Sequence, residues 1–178
     1  MDARRPTIRT IGHSTRPIEE FVALLAAHGV RHVADVRRFP FSPRHPQYNR
    51  EPLRDALAAA GIGYTHIERL GGRRRPRRDS ANAGWRNPAF RGFADHMRTP
   101  AFAAALRRLE RIATHRPTAI MCAEAFFVRC HRALIADALV VRGWRVLHIQ
   151  SARTARPHVR TKFLRVRAGV PGYPAPRA

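Results

Sequence analysis

The chain has 178 residues, a formal net charge of +22 and a hydrophobic fraction of 44%. This length suits one domain with one core, and no apolar run is long enough to span a bilayer. The amino terminus carries no apolar signal region, and two cysteines are too few for a disulfide framework. We therefore expect a cytoplasmic protein that does not contact a membrane.

The charge is carried almost entirely by arginine. Lysine and arginine together number 34, Asp and Glu together number 12, and Lys162 is the only lysine. Coding bias in a GC-rich genome explains arginine in place of lysine, but it explains the scarcity of acidic residues less well. The charge favours a polyanion, and we expect a nucleotide or nucleic-acid partner held through phosphate contacts.

Short β-rich runs alternate with helical stretches along the chain. Pro17 suits the first turn of a helix, Gly29 and Gly61 suit helix exits, and Pro100 separates two helices. The predicted elements, in chain order, are strand 7–11, helix 17–28, strand 31–36, helix 51–60, strand 63–67, helices 88–97 and 101–114, strand 118–122, helix 128–142 and strand 145–149.

This alternation predicts the α/β class, as a single compact domain with a mostly parallel five-stranded sheet and helices on both faces. The core domain is predicted over 1–150, and residues 151–178 form a basic C-terminal extension packed on the core or trailing from it. An arginine-rich loop lies at about 69–85. It is either a solvated surface loop or a phosphate-gripping lid, and the extension is either a nucleic-acid-contacting arm or simply a basic terminus.

In such sheets ligands bind beyond the carboxyl ends of the strands, so residues that follow different strands are predicted to converge. The candidate catalytic residues are Cys122, Glu124, His131, Asp35 and His13. The candidate anion- or substrate-binding residues are Ser14, Arg37, Ser42, Gly71, Gly72, Arg91 and Arg132.

Cys122 follows a buried strand and faces the start of a helix. The helix dipole, with Arg129 or Arg132, would lower the pKa of this thiol, while His131 would act as general base and Glu124 would orient it or act alone. The alternative is that Cys122 is a small buried hydrophobe. Asp35 likewise pairs with His13 for acid–base chemistry, or only fixes a loop and Arg37.

Zinc is a second alternative, with Cys122, Cys130, His131 and His13 as ligands. Adjacent Cys130 and His131 would point in different directions on a helix, however, so we expect no metal ion and no cofactor. A disulfide between the two cysteines is disfavoured in a reducing compartment. A phosphatase loop is also disfavoured, because Arg129 comes one residue too late after Cys122.

Several motifs together resemble a known family. They are Thr10-Ile11-Gly12-His13-Ser14, Asp35-Val36-Arg37 with Pro40 and Ser42-Pro43, Leu70-Gly71-Gly72, Trp85-Arg86-Asn87 with Phe90-Arg91-Gly92-Phe93-Ala94-Asp95, Cys122-Ala123-Glu124, Cys130-His131-Arg132, Arg156-Pro157-His158 and Gly172-Tyr173-Pro174. This ordered set is similar to the domain of unknown function 488. The resemblance implies a compact α/β domain and the positions of a site, but no activity.

One segment departs from the pattern of that family. Its members carry a polar, proline-containing link between the Cys-Ala-Glu and Cys-His-Arg elements, whereas this chain has Ala125-Phe126-Phe127-Val128-Arg129. The link offers no N-cap residue to the next helix, and it is predicted to place Phe126 and Phe127 at the mouth of the site.

Two functional hypotheses follow. The first is an enzyme, a hydrolase or transferase, that acts on a nucleotide or nucleic-acid substrate through the cysteine, glutamate, histidine and arginine cluster. The second is a non-catalytic nucleic-acid-binding module that uses the arginine-rich loop and the C-terminal extension.

Overall fold

The computed structural model describes residues 5–176, so that the first four residues and the last two, Arg177 and Ala178 of the extension, lie outside the described range. The strands are β1 (Thr7–Gly12), β2 (His32–Asp35), β3 (Gly63–His66), β4 (Thr118–Cys122), β5 (Arg145–Ile149), β6 (Ala155–Pro157), β7 (Arg165–Arg167) and β8 (Val170–Gly172). The helices are α1 (Ile18–Ala27), α2 (Arg50–Ala59), α3 (Pro88–His96), α4 (Pro100–His115) and α5 (Arg132–Val141). None of the helices within residues 5–176 is both long and apolar enough to cross a membrane.

Six strands form the main sheet in the order β3-β2-β4-β1-β5-β6. The first five run parallel, which confirms the predicted single α/β domain, and β6 pairs antiparallel with β5. The prediction missed this sixth strand. A tight turn produces it, because the Ser151 hydroxyl accepts hydrogen bonds from the backbone N–H groups of Arg153 and Thr154. The C-terminal extension thereby folds back onto the edge of the sheet.

The side chains of β1, β2, β4 and β5 alternate between two apolar clusters. On one face, Ile11, Val33 and Met121 pack with α1 and α2; on the other, Ile8, Ile120 and α3, α4 and α5 form the larger cluster. Burial on both faces is what a parallel sheet requires. The helices on both faces are therefore confirmed.

One buried carboxylate ties the C-terminal extension to α5. Asp137 is fully buried and accepts hydrogen bonds from His158, from the backbone and hydroxyl of Thr161, and from the Tyr173 hydroxyl. Tyr173 is itself fully buried. Since an unpaired buried charge is costly, these donors fix the extension against the core.

A second carboxylate holds the arginine-rich loop. Asp95 of α3 accepts hydrogen bonds from the Arg77 backbone, the Ser80 hydroxyl and the Asn82 side-chain amide. The loop therefore follows a defined path along α3, although most of its arginine side chains are exposed.

The helix predicted over 128–142 begins four residues later, at Arg132. A 3₁₀ turn spans Phe127–Arg129, and Cys130 has extended backbone angles, with φ of −133° and ψ of 147°. The helix starts only where the chain leaves this turn, because the extended backbone of Cys130 cannot be part of it. The prediction that Cys130 and His131 diverge on a helix is wrong for this reason.

Candidate active site

A cleft of about 800 Å³ lies beyond the carboxyl ends of β1, β2 and β4. The volume is within the usual range for small-ligand sites. Eight of the twelve predicted site residues line it, and they are His13, Ser14, Arg37, Ser42, Gly72, Cys122, Glu124 and His131. The convergence follows from the topology, because β1 and β2 both pair with β4 and their ends lie side by side.

The other four predicted residues are not among the lining residues. Gly71 packs its backbone on Arg38, where an added Cβ would lie 2.6 Å from the Arg38 Cα. Arg91 donates from Nε to the carbonyl oxygen of Trp85 at 3.0 Å. Asp35 and Arg132 are buried behind the cleft wall.

Asp35 positions Arg37. Its carboxylate accepts hydrogen bonds from the Arg37 backbone N–H, Nε and Nη2, and from the Tyr64 hydroxyl at 2.8 Å. Both residues are at least nine-tenths buried, and Arg37 lines the cleft. The carboxylate is saturated by donors, so it fixes a cationic group beside the cleft instead of pairing with His13 for proton transfer.

The two cysteines lie in direct contact. Cys122 Sγ, at the end of β4, is 2.7 Å from Cys130 Sγ, just before α5, and both residues line the cleft. Each side chain is about 5% exposed or less. Both are free thiols, so that one S–H group can donate to the other sulfur.

His131 is oriented towards Cys130. Its Nε2 donates a hydrogen bond to the carbonyl oxygen of Val36 at 2.9 Å, and its Nδ1 lies 3.5 Å from Cys130 Sγ. The backbone N–H of Arg132 also donates to Cys130 Sγ. Gly72 leaves the room for this ring, since an added Cβ would lie 2.9 Å from Nδ1.

These contacts move the pKa values of the two thiols in opposite directions. Burial raises the pKa of Cys122, and the hydrogen bond to Cys130 and the charge of that neighbour add to the effect. Burial alone would also raise the pKa of Cys130, but the Cys122 S–H group, His131 and Arg132 outweigh it and lower that pKa well below the ordinary thiol value. The lowered pKa predicted for Cys122 therefore lies on Cys130, because Cys130 is the sulfur that accepts.

Arg132 supports the site from inside the protein. It is 1% exposed, its Nη1 donates to Thr10 Oγ1 at 3.3 Å, and its Nη2 donates to the carbonyl oxygen of Glu124. Gly12 permits this arrangement, because a Cβ there would collide with the same carbonyl. Burial alone would lower the pKa of Arg132, but the neighbouring Cys122 and Cys130 sulfurs raise it. Arg132 is thus a fixed cation behind the thiols.

His13 presents an unpartnered nitrogen. Its Nδ1 donates to the carbonyl oxygen of Ser14 at 2.8 Å, its ring stacks on Tyr48, and its buried Nε2 has no partner within residues 5–176. Burial lowers the pKa of His13 to about 4, despite the hydrogen bond to Ser14. The ring is therefore neutral at pH 7, with a lone pair on Nε2. Ser14 itself has a positive φ of 51°, a strained conformation that is often found at functional sites.

The rim of the cleft contains residues that the sequence argument did not select. Besides Arg37, four arginines line it, and Glu124 is the only acidic lining residue within the described part of the chain, 5–176; these arginines are Arg38, Arg44, Arg73 and Arg129. Phe39 and Phe41 line the same cleft and are 58% and 67% exposed. The sequence feature that could have identified the two phenylalanines is their position in the proline-rich loop between β2 and α2. Aromatic residues in a surface loop often have a binding role.

The two phenylalanines of the apolar link before α5 point in different directions. Phe126 is 63% exposed, and the Arg129 guanidinium lies over its ring at 5.9 Å. Phe127 turns inward and stacks on His148 at a centroid distance of 3.5 Å. Phe126 is therefore exposed beside the cleft, whereas Phe127 anchors the link to the core.

The alternative of a zinc centre has no geometric support. Among residues 5–176, no group of three or more His, Cys, Asp or Glu side chains is arranged to hold a metal ion. One reason is local: the Nε2 of His131 is committed to Val36, and its Nδ1 already faces the sulfur of Cys130.

Comparison with known proteins gives one result. The family Domain of unknown function DUF488 matches residues 17–139, a range that includes β2, β4, both cysteines and His131. No curated protein matches the chain, and no solved structure matches it. The match covers more than half of the 178 residues. The chain therefore belongs to the DUF488 family.

Proposed function

We propose that this protein is a cysteine-dependent enzyme, a hydrolase or transferase, that acts on a nucleotide or on nucleic acid. One observation carries the proposal: Cys130 Sγ lies between the thiol of Cys122 and Nδ1 of His131, inside a cleft with five arginines. A thiol beside an oriented imidazole is the usual arrangement for nucleophilic catalysis.

Cys130 is the better candidate for the nucleophile than Cys122. Its thiolate is stabilised by the Cys122 S–H group, the Arg132 backbone N–H and His131. Attack would form a bond from Cys130 Sγ to the electrophilic centre of the substrate and break the bond to the leaving group. His131 Nδ1 would hold the thiol proton and return it to that group.

Breakdown of the covalent intermediate needs a base that removes a proton from water or from another acceptor molecule. The unpartnered Nε2 of His13 and the exposed carboxylate of Glu124 are the two lining groups that suit this role. The base would accept a proton from water. The water oxygen would then attack the covalent intermediate and release Cys130 as a thiolate.

The rim supports an anionic, aromatic substrate. Arg38 and Arg44 come from the loop between β2 and α2, and Arg73 comes from the arginine-rich loop, whose backbone accepts a hydrogen bond from Arg38. All three provide donors for phosphate oxygens. Phe39 and Phe41 offer exposed rings, and a base can stack on such rings without sequence preference. A nucleotide combines both features, because it has a charged end and a planar end.

The test combines binding and thiol reactivity. Binding of adenosine monophosphate and of a short single-stranded RNA is measured for the wild type, for Arg38→Ala and for Arg44→Ala. Each variant should bind about tenfold more weakly, the effect of losing one charge-assisted contact. Arg107→Ala is the matched control, because Arg107 is an exposed arginine on α4 that does not line the cleft.

Alkylation by iodoacetamide between pH 5 and 9 then tests the nucleophile. Cys130→Ser should abolish the fast phase near neutral pH, and Cys122→Ser should keep a reactive thiol whose midpoint lies at higher pH. Saturating adenosine monophosphate should slow alkylation of the wild type. Fast alkylation of Cys122 in Cys130→Ser, or equal binding by the arginine variants and Arg107→Ala, would refute the proposal.

A binding module without catalysis is the second candidate, and the exposed arginines of the extension favour it. Arg156, Arg160, Arg165 and Arg167 all face solvent, and no acidic residue follows Asp137. This candidate predicts that RNA binding weakens steeply with salt and persists when Cys130 is alkylated. The enzyme hypothesis predicts that the modified thiol blocks the nucleotide site.

A further inference from the structure

We propose that Cys122 and Cys130 form a redox-sensitive pair, in which a hydroperoxide oxidises Cys130 and Cys122 resolves the product into an intramolecular disulfide. The bond formation depends only on the two thiols. Its consequence, the reversible loss of activity, rests on the function proposed above.

The position of the two sulfurs carries the inference. They are 2.7 Å apart, and a disulfide bond is about 2.05 Å long, so that closure requires a movement of less than about 1 Å. Cys122 ends β4 and Cys130 lies in the link before α5, so the movement falls on the link and not on the sheet or the helix. Neither sulfur has to leave the apolar cluster that already contains both residues.

The groups around Cys130 assign the two roles. Cys130 Sγ faces His131 Nδ1 and the Arg132 backbone N–H, and Arg132 places a buried guanidinium behind it. These groups stabilise a thiolate, which is the species that reacts with peroxide. Cys122 lacks the imidazole contact and its pKa is raised by burial, which suits a resolving thiol that stays protonated until the second step.

The chemistry is balanced over two steps. In the first, the Cys130 thiolate attacks one oxygen of the hydroperoxide, an S–O bond forms, the O–O bond breaks and the leaving oxygen takes a proton. Cys130 becomes a sulfenic acid and the peroxide is reduced. In the second, Cys122 Sγ attacks Cys130 Sγ, the S–S bond forms and the S–O bond breaks, and the thiol proton leaves with the hydroxide as water.

Oxidation of the two cysteines would inactivate the site because of where they lie. Both cysteines line the cleft, and Cys130 is the proposed nucleophile. A disulfide removes the nucleophile, and reduction by a dithiol restores it. The same site would thus work only under reducing conditions, without any second ligand site.

The experiment treats the full-length protein with a small excess of hydrogen peroxide and measures intact mass and free thiols. The wild type should lose about 2 Da and both thiols, as a monomer, and dithiothreitol should restore both. Cys122→Ser should stop at a sulfenic acid that dimedone traps on Cys130. Cys130→Ser should keep its remaining thiol at the same peroxide concentration, and circular dichroism checks that each variant is folded.

Two free thiols in the treated wild type, or disulfides formed only between chains, would overturn the inference. Its failure is distinct from failure of the proposed function. Closure of the disulfide without any nucleotide binding by the reduced protein refutes the enzyme hypothesis alone. Nucleotide binding by a reduced protein that never closes the disulfide refutes the redox inference alone.

Discussion

The imidazole of His131 donates from Nε2 to the carbonyl oxygen of Val36 across 2.9 Å. A carbonyl oxygen can only accept, so the proton of the neutral ring is fixed on Nε2 and the lone pair on Nδ1 faces Cys130. Val36 follows β2 and His131 precedes α5, so this bond links two elements that are 95 residues apart in the chain. It gives the candidate dyad its orientation.

Gly72→Ala should disturb this orientation. The added Cβ would lie 2.9 Å from Nδ1 of His131, so the ring must move away from Cys130 or from Val36. We expect the pH midpoint of Cys130 alkylation to rise by about one unit, because the thiol loses the imidazole nitrogen that takes up its proton. The measurement is the rate of reaction with iodoacetamide between pH 5 and 9.

Gly172→Ala is the control for that experiment. A Cβ at Gly172 has its nearest neighbour at 3.9 Å, an ordinary contact, so the midpoint should stay at the wild-type value. An unchanged midpoint in Gly72→Ala, with the fold intact, would mean that His131 does not influence the thiol.

The free energy of unfolding should fall between pH 6.5 and pH 4. Burial lowers the pKa of His13 to about 4 and, with repulsion from His158 and Arg132, that of His148 to about 3, from 6.5 for each. In this window the unfolded chain binds more protons than the folded protein, so that stability is complete above about pH 6.5 and is lost as the pH falls. Urea titrations at several pH values give the curve.

His13→Gln isolates one of these two contributions. The glutamine amide can donate to the Ser14 carbonyl but cannot take up a proton, so the variant should lose less stability than the wild type on going from pH 7 to pH 4.5, by an amount on the order of 2 kcal/mol. A slope identical to that of the wild type would show that His13 is protonated equally in both states.

Arg132→Lys should be costly even though it keeps the charge. The guanidinium reaches Thr10 and the carbonyl oxygens of Glu124 and Ala125 at once, and a single ammonium group cannot replace this planar fork. We expect a loss of about 3 kcal/mol in the free energy of unfolding, because buried polar atoms lose partners. Urea denaturation at pH 7 measures it.

Arg107→Lys provides the comparison for Arg132→Lys, since Arg107 is exposed on α4. This surface change should alter the free energy by less than about 0.5 kcal/mol. Equal stability of the two variants would contradict the structural role of Arg132 and favour its earlier assignment as a substrate-binding residue.

The periodicity of the sequence predicted most of the fold. The apolar run 118–122 and the apolar spacing of α1 both reflect which side chains are buried in the folded protein. The order of apolar and polar residues in the sequence shows this burial directly, so both elements could be predicted. The strand β6 escaped prediction because Ala155–Pro157 is short and exposed in part, and only its pairing with β5 makes it a strand. The helix α5 begins later than predicted because a 3₁₀ turn and an extended Cys130 precede it.

The candidate site was also only partly predictable from the sequence. The sequence alone determined which residue types follow the strands, and hence that His13, Arg37, Cys122 and Glu124 meet in one cleft, because parallel strands end at a common edge. Only the tertiary structure decided that Cys130 lies between the thiol of Cys122 and Nδ1 of His131, and that Asp35 and Arg132 lie behind the wall. The physical reason is that the protonation and role of a side chain depend on which partners reach it through space, and these partners come from segments far apart in the chain.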